Sequence, residues 1–186
     1  MNLFKAGESI KLASSEYVAA RRVAELGFLL ALGLVLHWVE GFFPPLVPLP
    51  GVKLGLANVV PLFLLLSGRP KEAVWINVLR ILLGSFLGGN FLGIAFFMSF
   101  LGGVSSLLGM MLIYRRTHSA LLLSVGGALF HNLGQWWMAV LWVRSWGLVF
   151  YLPFLLALAL PAGCLVGYLG VLLRREEVER VSRRLR

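Results

Sequence analysis

The sequence predicts an all-α integral membrane protein with about six transmembrane helices and both termini in the cytoplasm. Of its 186 residues, 59% are hydrophobic and only 13% are charged. A soluble domain carries about 25% charged residues, and the mean hydropathy here is +0.87. The charges are also clustered, which leaves long apolar runs, and a helix that crosses a bilayer needs about 20 such residues. The expected location is the plasma (inner) membrane of a prokaryotic cell, as a multi-pass protein.

Six apolar segments follow one another along the chain. The second is short for a full crossing, and the last contains Pro161, which can kink or tilt a helix. The segments span residues 23–38, 54–66, 73–91, 92–115, 119–143 and 146–173. The predicted organisation is therefore a cytoplasmic leader (1–22), a six-helix transmembrane domain (23–173) and a basic cytoplasmic tail (174–186).

The distribution of Lys and Arg predicts the orientation. Basic residues stay on the cytoplasmic side of a membrane protein, and 14 of the 17 in this chain fall on one side of the six segments. The exceptions are Lys53, Arg80 and Arg144. Both termini are then cytoplasmic, which requires an even number of crossings. The net charge of +9 is thus a topology signal, with membrane lipid as the partner of the basic tail and no nucleic acid implied.

The predicted outer loop, residues 40–53, contains four prolines and several large apolar residues, Phe42 and Phe43 among them. Proline fixes the backbone and removes hydrogen-bond donors, so this segment is expected to be stiff and non-helical. Two interpretations stay open. The loop is either a connector that packs on the membrane surface or a lid that excludes water from an outward-facing pocket.

A small set of polar side chains falls within the apolar segments. Unsatisfied polar groups are costly in hydrocarbon, and ionisable ones face the protein interior or mark a substrate route. The predicted substrate-binding set is Lys53, Asn58, Arg80, Ser99, His131, Asn132 and Gln135.

The fifth segment contains three of these residues close together. His131 and Gln135 are one helical turn apart, and Asn132 lies about 100° around the helix from His131, so all three can face one cavity. Trp136 and Trp137 are candidate walls of it. In the third segment, Asn77 and Arg80 share a face, although Arg80 is predicted to lie nearer the cytoplasmic edge. The competing interpretation is that the amides only join neighbouring helices.

The charges of this set favour an anionic ligand. Lys53 and Arg80 are cations at membrane depth, and Glu40 is the one acidic residue near the outer half. A carboxylate or phosphate would satisfy both cations. The three histidines are dispersed and accompany no acidic cluster, so we predict no metal site and no bound cofactor.

Small residues form two stripes at helical spacing. Ala20, Ala24, Gly27 and Ala31 lie on one face of the first helix, and Gly163, Gly167 and Gly170 on one face of the last. Small residues let membrane helices approach closely. The second stripe is expected to pack inside the bundle. The first stripe either packs inside the bundle as well or receives another protein.

Four stretches, "PGVKLGLANVVPL", "LRILLGSFLGG", "MSFLGGVSSLLGMM" and "GGALFHNLGQ", resemble the Gx transporter family, also labelled heptaprenyl diphosphate synthase component I. That family resembles the substrate-binding S components of energy-coupling factor vitamin transporters. The resemblance implies an S-component-like bundle of six helices with an outward-facing pocket. It also implies docking through the first small-residue stripe onto a transmembrane coupling protein that carries two ATPase subunits.

Three functions are compatible with these features. The first is a transporter component that captures a small vitamin- or cofactor-like molecule from outside. The second is a non-catalytic membrane subunit of a heptaprenyl (polyprenyl) diphosphate synthase, and the third is a structural subunit of a membrane redox or quinone-linked complex. Enzymatic activity of the chain itself is not expected, because it contains no aspartate for magnesium-diphosphate binding and no GK[ST] phosphate loop.

Overall fold

The computed structural model describes residues 2–42 and 55–184. All regular structure in these two ranges is helical, which confirms the predicted all-α class. The helices there are α1 (Asn2–Phe42), α2 (Val59–Leu66), α3 (Pro70–Leu87), α4 (Ile94–Tyr114), α5 (Ala120–Val143) and α6 (Leu152–Arg184), with 3-10 turns at Leu56–Asn58 and Trp146–Tyr151.

Local sequence signals explain where α2 ends and α3 begins. Gly68 has a φ of 71°, and its N–H donates to Leu65 O while Arg69 N–H donates to Leu64 O. These paired bonds form a Schellman motif, in which glycine takes the left-handed conformation without steric cost. Pro70 then occupies the first turn of α3, where its fixed φ suits the helix and its missing N–H is not needed.

Helix α2 is the centre of the bundle. All eight of its residues are buried, and they form a core with side chains of α1, α3, α4, α5 and α6. A helix that is apolar on every face is expected to be surrounded by protein or lipid, and here protein surrounds it. The helix therefore holds the elements on either side of it in fixed positions, including Asn58 at its start.

Glycines allow α6 to pack closely inside the bundle. A Cβ on Gly163 would lie 2.6 Å from Val125 Cα, and one on Gly167 would lie 2.4 Å from Ser124 Oγ. One on Gly170 would lie 2.8 Å from Leu62 Cδ2 of α2. The glycine stripe of the last segment therefore packs inside the bundle, as its spacing predicts.

Within residues 2–42 and 55–184, three helical segments are long and apolar enough to cross a membrane: Ser15–Phe42, Ile94–Tyr114 and Trp146–Glu179. The remaining elements differ in length or polarity. Leu56–Leu66 spans only about 17 Å at 1.5 Å per residue, against about 30 Å of hydrocarbon. Helices α3 and α5 contain the charged and polar residues described below. Six crossings and the location of the termini stay predictions.

Several helix ends differ from the predicted segment ends. Helix α1 already begins at Asn2 and continues to Phe42, so the leader is helical and Glu40 belongs to a helix. Helix α6 runs through Pro161 and on to Arg184, which makes most of the basic tail its continuation. Hydropathy marks where a helix leaves an apolar environment, whereas a helix ends where its hydrogen bonding ends. The rest of the Pro-rich loop, residues 43–53, lies outside the described residues.

Candidate ligand-binding site

The polar side chains of the apolar segments are buried. Arg80 is 3% exposed and Gln135 is fully buried. Because polar groups lose hydration on burial, each is expected to have a protein or ligand partner. The other buried polar residues are His37, Glu40, Asn58, Asn77, Ser85, Ser99, Ser106, Ser124, His131 and Asn132.

Four of these residues form one chain of hydrogen bonds, which we call the Arg80 network: Arg80, Asn58, Asn77 and His131. Arg80 Nη2 donates to Asn77 Oδ1 at 2.8 Å and to Asn58 Oδ1 at 3.3 Å. The Asn58 amide lies 3.3 Å from His131 Nδ1, and Asn77 Nδ2 donates to Gly103 O at 3.1 Å. The network thus joins the turn before α2 to α3, α4 and α5.

The network also determines which ring nitrogen of His131 accepts. The Arg80 cation requires the oxygen of the Asn58 amide on its side, because a guanidinium only donates. The Asn58 Nδ2 group therefore points at His131 Nδ1, 3.3 Å away, and that nitrogen must accept. The neutral His131 ring then has its proton on Nε2.

Glycines make room for the polar side chains. A Cβ on Gly102 would lie 2.8 Å from Gln135 Cγ and 3.0 Å from His131 Cε1. One on Gly33 of α1 would lie 3.0 Å from Arg80 Cδ. Gly55 has a φ of 84°, and a Cβ there would lie 2.9 Å from Asn58 Nδ2. Larger residues at these positions would push the network apart.

Glu40 supplies a buried carboxylate near this site. Its Oε1 accepts a hydrogen bond from the Leu56 N–H, which ties α1 to the turn that positions Asn58. It also interacts electrostatically with Arg80. Among the described buried residues Arg80 and Glu40 are the charged ones, so the two charges offset each other across the site.

Some polar atoms at the site have no partner among the described residues. They are Arg80 Nε and the hydroxyls of Ser99 and Ser106. Ser99 and Ser106 lie one turn before and one turn after the Gly102–Gly103 pair, on the same side of α4. A buried donor without a partner costs about 1–3 kcal/mol, which a bound molecule with acceptor groups would recover.

Asn132 points away from the Arg80 network. Its Nδ2 donates to Leu155 O of α6 at 2.7 Å, and Trp136 Nε1 donates to Leu148 O at 2.9 Å. Both side chains therefore join α5 to the chain that follows it. The predicted set places Asn132 beside His131, but the 100° between consecutive residues directs Asn132 to α6 instead. The Trp137 side chain is half exposed on the surface of the helix bundle.

Two further differences concern the predicted set. Arg80 was expected to lie apart from the other polar residues, but its long side chain reaches Asn58 directly. The predicted set omits Asn77, Glu40 and His37, which are also buried. The i, i+3 spacing of Asn77 and Arg80 was a usable signal. Lys53 lies outside the described residues.

The described residues contain no group of three or more metal-ligating side chains.

The predicted docking stripe lies on an exposed face of α1. Ala20, Ala24, Gly27 and Ala31 are all exposed, and a Cβ on Gly27 would have no neighbour within 4 Å. The described part of the bundle therefore leaves this face of α1 uncovered.

The fold and site together define an all-helical protein with membrane-span-like helices around a buried polar network. The profile of the family described as heptaprenyl diphosphate synthase component I matches residues 29–173. The chain belongs to this family, which confirms the resemblance noted in its sequence. Neither a curated protein nor a solved structure matches the chain.

Proposed function

We propose that this chain is a multi-pass membrane subunit that binds one small molecule at the Arg80 network and captures it for transport. One observation supports this most strongly. A guanidinium that is 3% exposed has only amide oxygens as hydrogen-bond acceptors, and its Nε and two nearby serine hydroxyls have none among the described residues. Intramembrane charges of this kind usually mark a ligand or ion route.

The ligand class follows from the charges and donors. Glu40 already offsets the charge of Arg80, so the described site is close to neutral and rich in donors. A molecule that carries a carboxylate or several carbonyl groups fits such a site better than a fully ionised phosphate. Lys53, if it reaches the site, would add a second cation. The family resemblance suggests a vitamin or cofactor precursor.

Energy for transport would come from other proteins. The exposed stripe at Ala20, Ala24, Gly27 and Ala31 is the proposed docking surface for a transmembrane coupling protein with ATPase subunits. Small side chains there would allow a partner helix to approach α1 closely. A Gly27→Leu variant should retain the fold, because its side chain enters open space, and should lose the partner in co-purification.

The direct test is mass spectrometry of small molecules retained by the gently purified chain. Asn58→Leu removes the residue that bridges Arg80 and His131, so retention should fall to background. The matched control is Asn132→Leu, which removes a buried amide of the same size outside the network. A joint His131→Leu and Gln135→Leu variant should behave like Asn58→Leu. Equal retention in all variants would refute the site.

A second candidate function has support from the family description. The chain would be a non-catalytic membrane subunit that works with a heptaprenyl diphosphate synthase partner. The absence of aspartate fits this role, because the magnesium-diphosphate chemistry would belong to the partner. The description favours this candidate, whereas the buried network favours ligand capture.

Affinity purification from the native membrane separates the two. Recovery of a coupling protein with ATPase subunits supports transport. Recovery of a soluble prenyl synthase, with an increase in its product formation when the chain is added, supports the second candidate.

A further inference from the structure

A cavity of about 480 Å³ lies between α6, the end of α2 and the start of α5. Its apolar wall consists of Leu66, Ala120, Val171 and Val178. Its polar rim consists of Arg174, Arg175, His118 and Glu179. The cavity is at the end of the bundle that carries most of the basic residues, so by the predicted orientation it faces the cytoplasmic leaflet.

Helix α6 supplies five of the eight lining residues. Val171, Arg174, Arg175 and Val178 are spaced i, i+3, i+4 and i+7, which places them on the same side of the helix. The apolar run of α6 ends at Leu173. By the predicted orientation, Arg174 and Arg175 therefore lie where the helix passes from hydrocarbon to the headgroup region. Val171 is about one turn before them along α6, and Val178 is about one turn after them.

We propose that this cavity binds one anionic phospholipid, with its phosphate at Arg174 and Arg175 and an acyl chain along the apolar wall. Two arginines and one carboxylate, Glu179, line the cavity, so the lining has an excess of positive charge. Arginine pairs with phosphate through geometrically matched donors. A membrane lipid supplies both the anion at headgroup depth and the apolar chain beside it.

The walls of this cavity are held in position by the fold. Ser67 Oγ donates to Glu177 Oε2 at 3.0 Å, which attaches α6 to the end of α2. The site is also separate from the Arg80 network. Ala120 and His131 are both on α5, and the eleven-residue step from one to the other corresponds to about 17 Å along the helix. The proposal therefore stands independently of the proposed function.

The test counts lipids retained by the full chain in native mass spectrometry after reconstitution with equal phosphatidylglycerol and phosphatidylcholine of identical acyl chains. We expect one retained phosphatidylglycerol. An Arg174→Gln/Arg175→Gln variant should retain it about tenfold less, because charge-assisted contacts to the phosphate are lost. The matched control is Arg115→Gln/Arg116→Gln, which removes an exposed basic pair outside the cavity and should have no effect. Val171→Trp should also reduce retention, because it fills the cavity without changing charge.

Four outcomes would overturn the assignment. The first two are equal retention of phosphatidylcholine and an equal loss of lipid in the Arg115/Arg116 control. The third is displacement of the lipid by millimolar inorganic phosphate, and the fourth is displacement by farnesyl diphosphate at a concentration below that of the phosphate. The first two indicate no phosphate-specific site, the third an anion site without a lipid chain, and the fourth a prenyl substrate.

Discussion

Arg80 shows how a single residue can be charged and still lie inside this bundle. Its guanidinium donates hydrogen bonds to two amide oxygens and interacts electrostatically with the Glu40 carboxylate. Two amides cannot replace hydration fully, so the buried cation depends on Glu40. The pairing could not be predicted from sequence spacing, since Glu40 and Arg80 belong to different helices.

A substitution cycle tests this dependence. Arg80→Met leaves Glu40 without its compensating charge and should destabilise the protein by about 3 kcal/mol. Adding Glu40→Gln should restore part of the loss, because the uncompensated charge is then gone. Thermal unfolding in detergent measures both steps. If the two substitutions reduce stability additively, Glu40 does not compensate Arg80.

Gly102 is a second residue whose identity matters for the site. Alanine there places a Cβ 2.8 Å from Gln135 Cγ, so either α4 or the Gln135 side chain must shift. We expect Gly102→Ala to lower stability by about 1–3 kcal/mol, as overpacking does, and to weaken ligand retention.

The control for Gly102→Ala is Gly27→Ala on α1. It faces open space and should stabilise its helix by up to about 1 kcal/mol through propensity alone. Melting curves of both variants in the same detergent suffice. Equal stabilisation by the two alanines would contradict the close contact at Gly102.

Three residues of the predicted set, Asn58, Arg80 and His131, are brought together by the structure, and the limits of the prediction are physical. Asn58, Arg80 and His131 could be selected because each is a rare polar residue in an apolar segment. The partner of Asn132 could not, because a rotation of 100° between neighbouring residues decides between two helices. Its hydrogen bond to Leu155 O depends on how α6 packs, which spacing within α5 does not reveal.

At the scale of elements, an ion cluster connects α1 with α3. Arg22 and Arg69 both donate to Glu72, and Arg69 also donates to Glu25 of α1. Burial alone would raise the pKa of Glu72, but the hydrogen bonds from Arg22 and Arg69 outweigh it and keep the pKa below its ordinary value. The carboxylate therefore stabilises the contact between the two helices.

The pH dependence follows from that direction. Because the folded pKa of Glu72 is depressed, its stabilisation is complete above the ordinary value of 4.5 and is lost as pH falls through the folded pKa. The effect should not exceed about 1 kcal/mol, since the Arg22 side chain is 64% exposed and solvent screens it. Melting temperatures between about pH 7 and pH 3 should therefore fall less steeply in Glu72→Gln than in the wild type.

Glu176→Gln is the matched control for this experiment, because Glu176 is exposed on α6. It should follow the wild-type curve. If the melting temperature of Glu72→Gln falls with pH as steeply as that of the wild type, Glu72 does not contribute to the loss of stability in acid.

The two small-residue stripes show what the sequence leaves undecided at the element scale. Both have the spacing that permits close approach. Gly163 would place a Cβ 2.6 Å from Val125 Cα, whereas Gly27 has no neighbour within 4 Å. The spacing of a stripe indicates that a helix can approach it closely. Only the positions of the other helices show whether a helix of this chain already packs there.

At the scale of the whole molecule, the predicted topology can be tested with engineered cysteines. Cys164 is the one cysteine, so Cys164→Ala gives a clean background. Ser145→Cys, between α5 and the turn before α6, should react with a membrane-impermeant maleimide in intact cells. Ser182→Cys, near the end of α6, should react only after permeabilisation. Equal labelling of both in intact cells would contradict six crossings with cytoplasmic termini.

The fold class could be predicted because composition and apolar runs report directly on helices in a membrane. The lengths of the elements could not. The predicted second segment, residues 54–66, has a helical part, Leu56–Leu66, that is short because the Schellman turn at Gly68 ends it. The bundle also encloses this part. Apolar sequence does not distinguish lipid from the interior of a protein, since both exclude water.

The enclosure of α2 also shapes how its sequence can vary. Every side chain from Val59 to Leu66 touches protein, so substitutions accepted at these positions should be constrained in volume all the way around the helix. Along α1, where buried and exposed residues alternate from Leu29 to Glu40, accepted changes should instead rise and fall once per turn. Among the described helices, α2 would then be the one whose accepted substitutions show no helical periodicity, because none of its faces is exposed.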